Sequence, residues 1–235
     1  MNIRKYLWLF FLCFLSTSSI QAQRNYIDIP KYILCINSYA ESTPWSSRMI
    51  STISEYVQKD PQLALYAEHM NTLMMDNDSI LGEFKNMISQ KYSQPHPRLL
   101  VLLGSPAFTL RDEYRKLWGD IPVILCSEEA FQGPQKAYFQ KKEIAPADRT
   151  PISQFADPYN MVFLYSNLYL RENIQLINHL KPNIEKFIFI GDEREINLSN
   201  SLDIQDELKR NYPQIEYQFL TPRKMTTNQL LDSLY

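Results

Sequence analysis

Glycine is scarce in this chain: five residues among 235, at positions 82, 104, 119, 133 and 191, with no two closer than 14 residues. That spacing excludes a dinucleotide fingerprint and a P-loop, because both need glycines a few residues apart for the backbone to approach a phosphate. Charge of one sign is also missing. Against 24 basic residues stand 26 acidic ones, a formal net charge of −2, and a nucleic-acid-binding chain would carry a basic surplus, so no nucleic-acid partner is expected. The three histidines, His69, His96 and His179, lie far apart, none beside a cysteine, which is not a zinc-ligand pattern. A serine nucleophile elbow needs Gly-x-Ser-x-Gly, and Gly104-Ser105-Pro106-Ala107 does not match it. The expectation is therefore no catalytic residue, no metal and no cofactor.

Long apolar runs are nearly absent too. The exception is Leu7 to Leu15, preceded by Arg4 and Lys5 and followed by a polar stretch and Ile20-Gln21-Ala22. A positive start, a short apolar run and a small residue at the end read as a signal peptide over residues 1–22. The run falls well short of the roughly 20 residues that span a bilayer, which weighs against the alternative of an uncleaved anchor. The expectation is a periplasmic protein with no membrane span after the signal segment. Without residues 1–22 the charge becomes −4, from 22 basic and 26 acidic residues. Cys35 and Cys126 then remain. An exported chain permits a disulfide, but a chain of this size can build a core without one, and the preferred reading is two unpaired core thiols.

What is present is an alternation of short apolar runs with helical periodicity, the pattern of βαβ units in a parallel sheet. Strands are predicted at Tyr32–Ile36, Gln62–Tyr66, Leu99–Leu103 and Pro122–Cys126. Between them fall helices that start after Thr43, at Asp76 and at Ser105, the last capped by Ser105 with Pro106 behind it and ended by Gly119. This defines an N-terminal α/β lobe over residues 31–126. Residues 127–157 lose periodicity, carry three prolines and read as an inter-lobe crossover, partly ordered on the surface. Periodicity resumes in a C-terminal lobe over residues 158–235, with strands at Met161–Tyr165, Lys186–Ile190 and Ile215–Leu220 and helices at Arg171–Leu180, Leu202–Asn211 and from Thr226. The series stops inside that helix, so the second lobe reads as truncated.

In open α/β sheets a ligand lies outside the carboxyl ends of the strands. The loops there contain Asn37-Ser38-Tyr39, Gly104-Ser105, Ser127-Glu128, Ser166-Asn167 and Gly191-Asp192, so polar groups and aromatics gather on one edge. The candidate ligand-binding residues in these loops are Ser38, Tyr39, Ser105, Ser127, Glu128, Ser166 and Asp192. Turn and cap roles compete with ligand contact at each, since turns favour the same residue types.

Several segments match a familiar order: Ser38-Tyr39 followed by Trp45; Leu65-Tyr66-Ala67-Glu68-His69-Met70-Asn71-Thr72; Lys91-Tyr92; and Ile121-Pro122-Val123-Ile124-Leu125-Cys126. Together they resemble the extracytoplasmic sensor region of bacterial two-component histidine kinases of the ABC-transporter substrate-binding-protein-like type, over about residues 31–220. The resemblance implies a two-lobed periplasmic-binding-protein-like fold with parallel sheets flanked by helices, and puts Ser38, Tyr39 and Trp45 on the cleft. Where that family often has an aspartate after the third strand, this chain has Ser105, and where it often has a glycine after the fourth, Ser127. The expected function is ligand sensing by lobe closure, with a small-molecule ligand, a possible homodimer and downstream kinase domains as partners. The glycine-rich ATP motifs of a kinase cannot be built from five scattered glycines, so this chain is not expected to be an enzyme. The alternatives are a free solute-binding protein that serves a transporter permease and, more remotely, a periplasmic hydrolase using Ser105 or Glu128-Glu129.

Overall fold

The computed structural model describes residues 31–75 and 78–234; the signal peptide expected at 1–22 lies outside the described residues. Among these, no helix is long and apolar enough to cross a membrane. The first half runs β1 (Lys31–Asn37), α1 (Pro44–Val57), β2 (Leu63–His69), α2 (Asp78–Lys91), β3 (Leu99–Leu103), α3 (Ser105–Phe108), α4 (Arg111–Trp118) and β4 (Val123–Ser127). The second half runs β5 (Phe131–Gln132), α5 (Gln135–Phe139), β6 (Thr150–Pro151), β7 (Met161–Tyr165), α6 (Leu170–Leu180), β8 (Lys186–Ile190), α7 (Glu195–Asn211), β9 (Glu216–Leu220) and α8 (Thr227–Leu234). The protein is an α/β protein: five parallel strands in the order β2-β1-β3-β4-β7, flanked by helices.

The uninterrupted apolar strands need cover on both faces, because successive side chains point to opposite sides. Leu34, Ile36, Leu100 and Leu102 point into the larger core with Leu81, Phe84, Phe108 and Tyr114 of α2, α3 and α4. Cys35, Val101, Leu103 and Cys126 point the other way, onto Trp45, Met49, Ile50 and Ile53 of α1.

Four expectations are corrected. The helix predicted from Ser105 to Gly119 is two helices, broken where the Thr109 hydroxyl donates to the Pro106 carbonyl at 2.7 Å. Gly104, not Ser105, holds the capping position, and neither it nor Thr43 makes a side-chain cap. Residues 127–157 are not confined to the surface. β5 and β6 pair antiparallel, and Tyr138, Phe139, Ile144 and Ile152 are buried in the larger core. A few apolar side chains at irregular spacing can fill a core without leaving a periodic trace. Finally, β7 belongs to the first sheet, in parallel register from Val123↔Met161 to Ser127↔Tyr165. Its apolar pattern requires burial but does not name the sheet that supplies it.

After β7 a second lobe is not evident. β8 and β9 form a two-stranded parallel sheet whose own small core is Ile174, Ile204, Leu208 and Ile215.

Cys35 and Cys126 are free and buried on the same sheet face. Burial, with a contribution from Cys126, pushes the Cys35 thiol up to about 12; burial alone pushes Cys126 to about 11. Thiolate is the reactive form, so neither cysteine should react with a thiol reagent at neutral pH in the folded protein, and both should react in denaturant. Labelling of either before unfolding would contradict this packing.

Candidate functional site

The strand order places a switch point between β1 and β3, the usual crevice of an open α/β sheet. Here the two loops fill that crevice themselves. The Ser38 hydroxyl donates to the Gly104 carbonyl at 3.2 Å and accepts the Ala107 N–H at 2.9 Å. Ser38 is therefore a structural linker between loops.

Beside it opens a cleft of about 370 Å³. The first sheet supplies Tyr39, Thr43, Trp45 and Glu128, and the chain after β7 supplies Leu168, Leu170, Phe189, Arg194, Ile196, Asn197 and Asn200. Tyr39 and Trp45 meet edge to face at 5.7 Å, which fixes both rings. The Arg194 guanidinium lies over the Tyr39 ring, 5.3 Å from its centre.

Arg194 is aimed by Asp192. Its backbone N–H donates to Asp192 Oδ1 at 2.9 Å, its Nε reaches Oδ2 at 2.8 Å, and the Asn197 amide donates to Oδ1 at 2.7 Å. Burial works to raise Asp192, but these hydrogen bonds outweigh it and hold the carboxyl below its ordinary value. Burial likewise works against the Arg194 charge, and Asp192 more than offsets it. Glu128 is raised by burial, with Arg194 pulling in the other direction. One cation and one acid thus face the cleft, among aromatics and amides.

Sharing Tyr39, Arg194 and Ile196 with the cleft is a small, partly open pocket of about 20 Å³, room for one water, whose lining also includes Thr72, Pro106, Glu129, Tyr138 and Glu195. Two buried carboxyls, Glu129 and Glu195, are both in its lining.

Of the expected residues, Tyr39, Trp45 and Glu128 line the cleft, and Asp192 positions Arg194. Ser105 and Ser127 are buried beneath it, their hydroxyls 2.9 Å apart, and Ser127 Oγ accepts the Glu129 N–H at 3.1 Å. Ser166 is exposed and lines neither cavity, its N–H donating to the Ser127 carbonyl at 3.0 Å. Arg194, Glu195, Asn197 and Asn200 were missed because α7 begins at Glu195, seven residues before the predicted start at Leu202. Polar Asn197, Ser199, Asn200 and Ser201 blur the apolar stripe there. The readable signal was Asp192, whose carboxylate accepts the backbone N–H two residues on, an Asx-turn that leads into α7.

A larger hollow, about 590 Å³, borders α4, β5 and β6 and touches none of the residues that follow β1, β4 or β8. Among the described residues no cluster of His, Cys, Asp and Glu suited to a metal is found. Comparison with protein-family models, with curated proteins and with solved structures finds no match to this chain.

Proposed function

We propose that this chain is an exported small-molecule-binding module of the periplasmic-binding-protein-like kind, the input part of a two-component sensor kinase. The observation that carries this reading is the cleft whose walls come from two separate stretches of chain: Tyr39, Trp45 and Glu128 on one side, Phe189, Arg194, Asn197 and Asn200 on the other. A solute held by both walls favours the arrangement in which they are close, and differential affinity of this kind is what a sensor needs. The order of the motifs around Ser38-Tyr39, Trp45 and Leu65–Thr72 supports the sensor assignment over a free solute-binding protein. In the sensor reading the partners are a second copy of the module and downstream kinase domains.

The lining also limits the ligand. Glu128 and Arg194 balance each other, so a highly charged solute would leave one of them opposed at close range. An uncharged or zwitterionic solute with a flat apolar face suits the ring pair of Tyr39 and Trp45 together with Phe189.

A thermal-shift screen of such solutes tests this. At a hundredfold excess over Kd a true ligand should add about 2.7 kcal/mol, which raises Tm by roughly 5–10 °C. Asn200→Ala should weaken that ligand about tenfold, the loss of one hydrogen bond to a polar group. If every solute leaves Tm unchanged, the cleft is not a binding site for this class.

A further inference from the structure

We propose that the solute held in the cleft carries a primary ammonium group, and that the small pocket beside the cleft, with Glu129, Glu195, Tyr39 and Thr72 in its lining, is where that group sits. The proposal rests on the reading of the cleft as a binding site; the recognition of ammonium stands on the pocket alone.

Four polar side chains come to this pocket from different parts of the chain, and all are buried. Tyr39 follows β1 and is 7% exposed, Thr72 follows β2 and is 4% exposed, Glu129 follows β4 and is 7% exposed, and Glu195 opens α7 and is 3% exposed. Among the described residues neither the Tyr39 hydroxyl nor the Thr72 hydroxyl has a hydrogen-bond partner; the bonds these residues make are through the backbone. Buried polar groups are nearly always paired, so two free hydroxyls at one pocket mark a place for a further partner.

The pocket is also short of positive charge. Among the described residues no cation forms an ion pair with Glu129 or Glu195. The Ser199 hydroxyl donates to Glu195 Oε1 at 2.5 Å, which orients that carboxyl without neutralising it. Arg149 favours ionisation of both acids but is held by Asp203, 3.0 Å from its Nη1. Arg194, itself in the lining, is bound through Nε to both Asp192 oxygens, at 3.0 and 2.8 Å. Burial is the leading cause that raises the two acids, Glu195 from 4.5 to about 7 and Glu129 well above its ordinary value. A buried carboxylate without a counter-charge is destabilising, and a cation brought by the solute removes that penalty.

Size selects the kind of cation. With room for one water, the pocket admits an ammonium head and is too small for a guanidinium or a trimethylammonium. An ammonium offers three donors and no acceptor, which suits two carboxylates and two hydroxyl oxygens. Calcium takes about six to eight oxygens, more than this set supplies. Because Tyr39, Arg194 and Ile196 belong to both cavities, a head in the pocket can be joined to a body that lies in the cleft against Trp45 and Phe189. The acids of the pocket balance the head, so the cleft itself, with Glu128 and Arg194, still meets an uncharged or zwitterionic body.

Calorimetry on the full chain tests this with phenethylamine as the probe and N-acetylphenethylamine and trimethyl(phenethyl)ammonium as its controls. Phenethylamine should bind about tenfold more tightly than either control, and Glu195→Gln and Thr72→Val should each weaken it about tenfold. Thr72→Val, nearly unchanged in shape, keeps the test if Glu195→Gln does not fold. Equal binding of either control would overturn the proposal and leave the cleft as a binding site, and so would a ligand from the solute screen that lacks an ammonium group. Methylammonium chloride needs only the pocket. At tenfold excess over its Kd it should raise Tm by roughly 3–5 °C beyond the effect of equal sodium chloride in the wild type and not in Glu195→Gln. No difference between the two salts would overturn the proposal whether or not the cleft takes a solute. Stabilisation by calcium chloride that Glu195→Gln abolishes would make the pocket a metal site and overturn it as well.

Discussion

Gly104→Ala is expected to lower the free energy of unfolding by about 3 kcal/mol or more, enough to reduce Tm by roughly 6–12 °C. Gly104 has φ 89° and ψ 150°, a region occupied almost only by glycine, where another residue carries about 1–3 kcal/mol of strain. An added Cβ would stand 2.9 Å from Ser38 Oγ, 3.0 Å from Ser38 Cβ and 3.0 Å from the Tyr39 hydroxyl. Neither neighbour yields easily. Ser38 would lose its bonds to Gly104 and Ala107, and Tyr39 is wedged against Trp45. Gly119→Ala is the control: its φ of 74° is similarly unfavourable, but nothing lies within 4 Å of the new atom, so it should cost only the strain. Urea denaturation of both variants separates the two contributions. Equal losses would mean that the Ser38–Gly104 contact carries no weight.

Arg149→Met is expected to cost about 3 kcal/mol at pH 8 and distinctly less at pH 5.5. Arg149 is the cation that faces Glu129, Glu195 and Asp203, its side chain 16% exposed against 37% for Asp203. Its Nε also donates to the Ile144 carbonyl at 3.0 Å. Removal of one partner of a buried charge cluster usually costs 3–5 kcal/mol because the rest stays buried and unbalanced; the exposure of Asp203 places this case at about the lower end. Methionine keeps the stem against Phe131, over whose ring the guanidinium now sits at 4.5 Å. The loss is electrostatic, and protonation of the glutamates relieves it. Denaturation curves at the two pH values test this, and an equal cost at both would tie the loss to packing.

Much of the fold was legible. Apolar runs such as Leu99–Leu103 gave the strands nearly to the residue, because a strand buried on both faces has no polar position to confuse it. The start of α7 was not legible, since Arg194, Asn197 and Asn200 line a cleft rather than a core and carry polar side chains. Tyr39 and Glu128, which line the cleft, were selected by the rule that ligands lie at strand carboxyl ends, and Trp45 by the family resemblance. The same rule selected Ser166, which is exposed, and Ser38 and Ser105, which serve the scaffold. Residue type and loop position do not say whether a hydroxyl turns to solvent, to a neighbouring loop or to a cavity.

The amino-acid order by itself determined the α/β class, the scarcity of phosphate-gripping glycine and the short apolar strands, because burial on one or two faces is written locally as periodicity. Only the tertiary structure decided that β7 joins the first sheet, that Asp192 aims Arg194 into the cleft and that Glu129 and Glu195 line one pocket. Local periodicity records how much of an element must be buried. What buries it, and which charge it then faces, depends on residues far away in the chain.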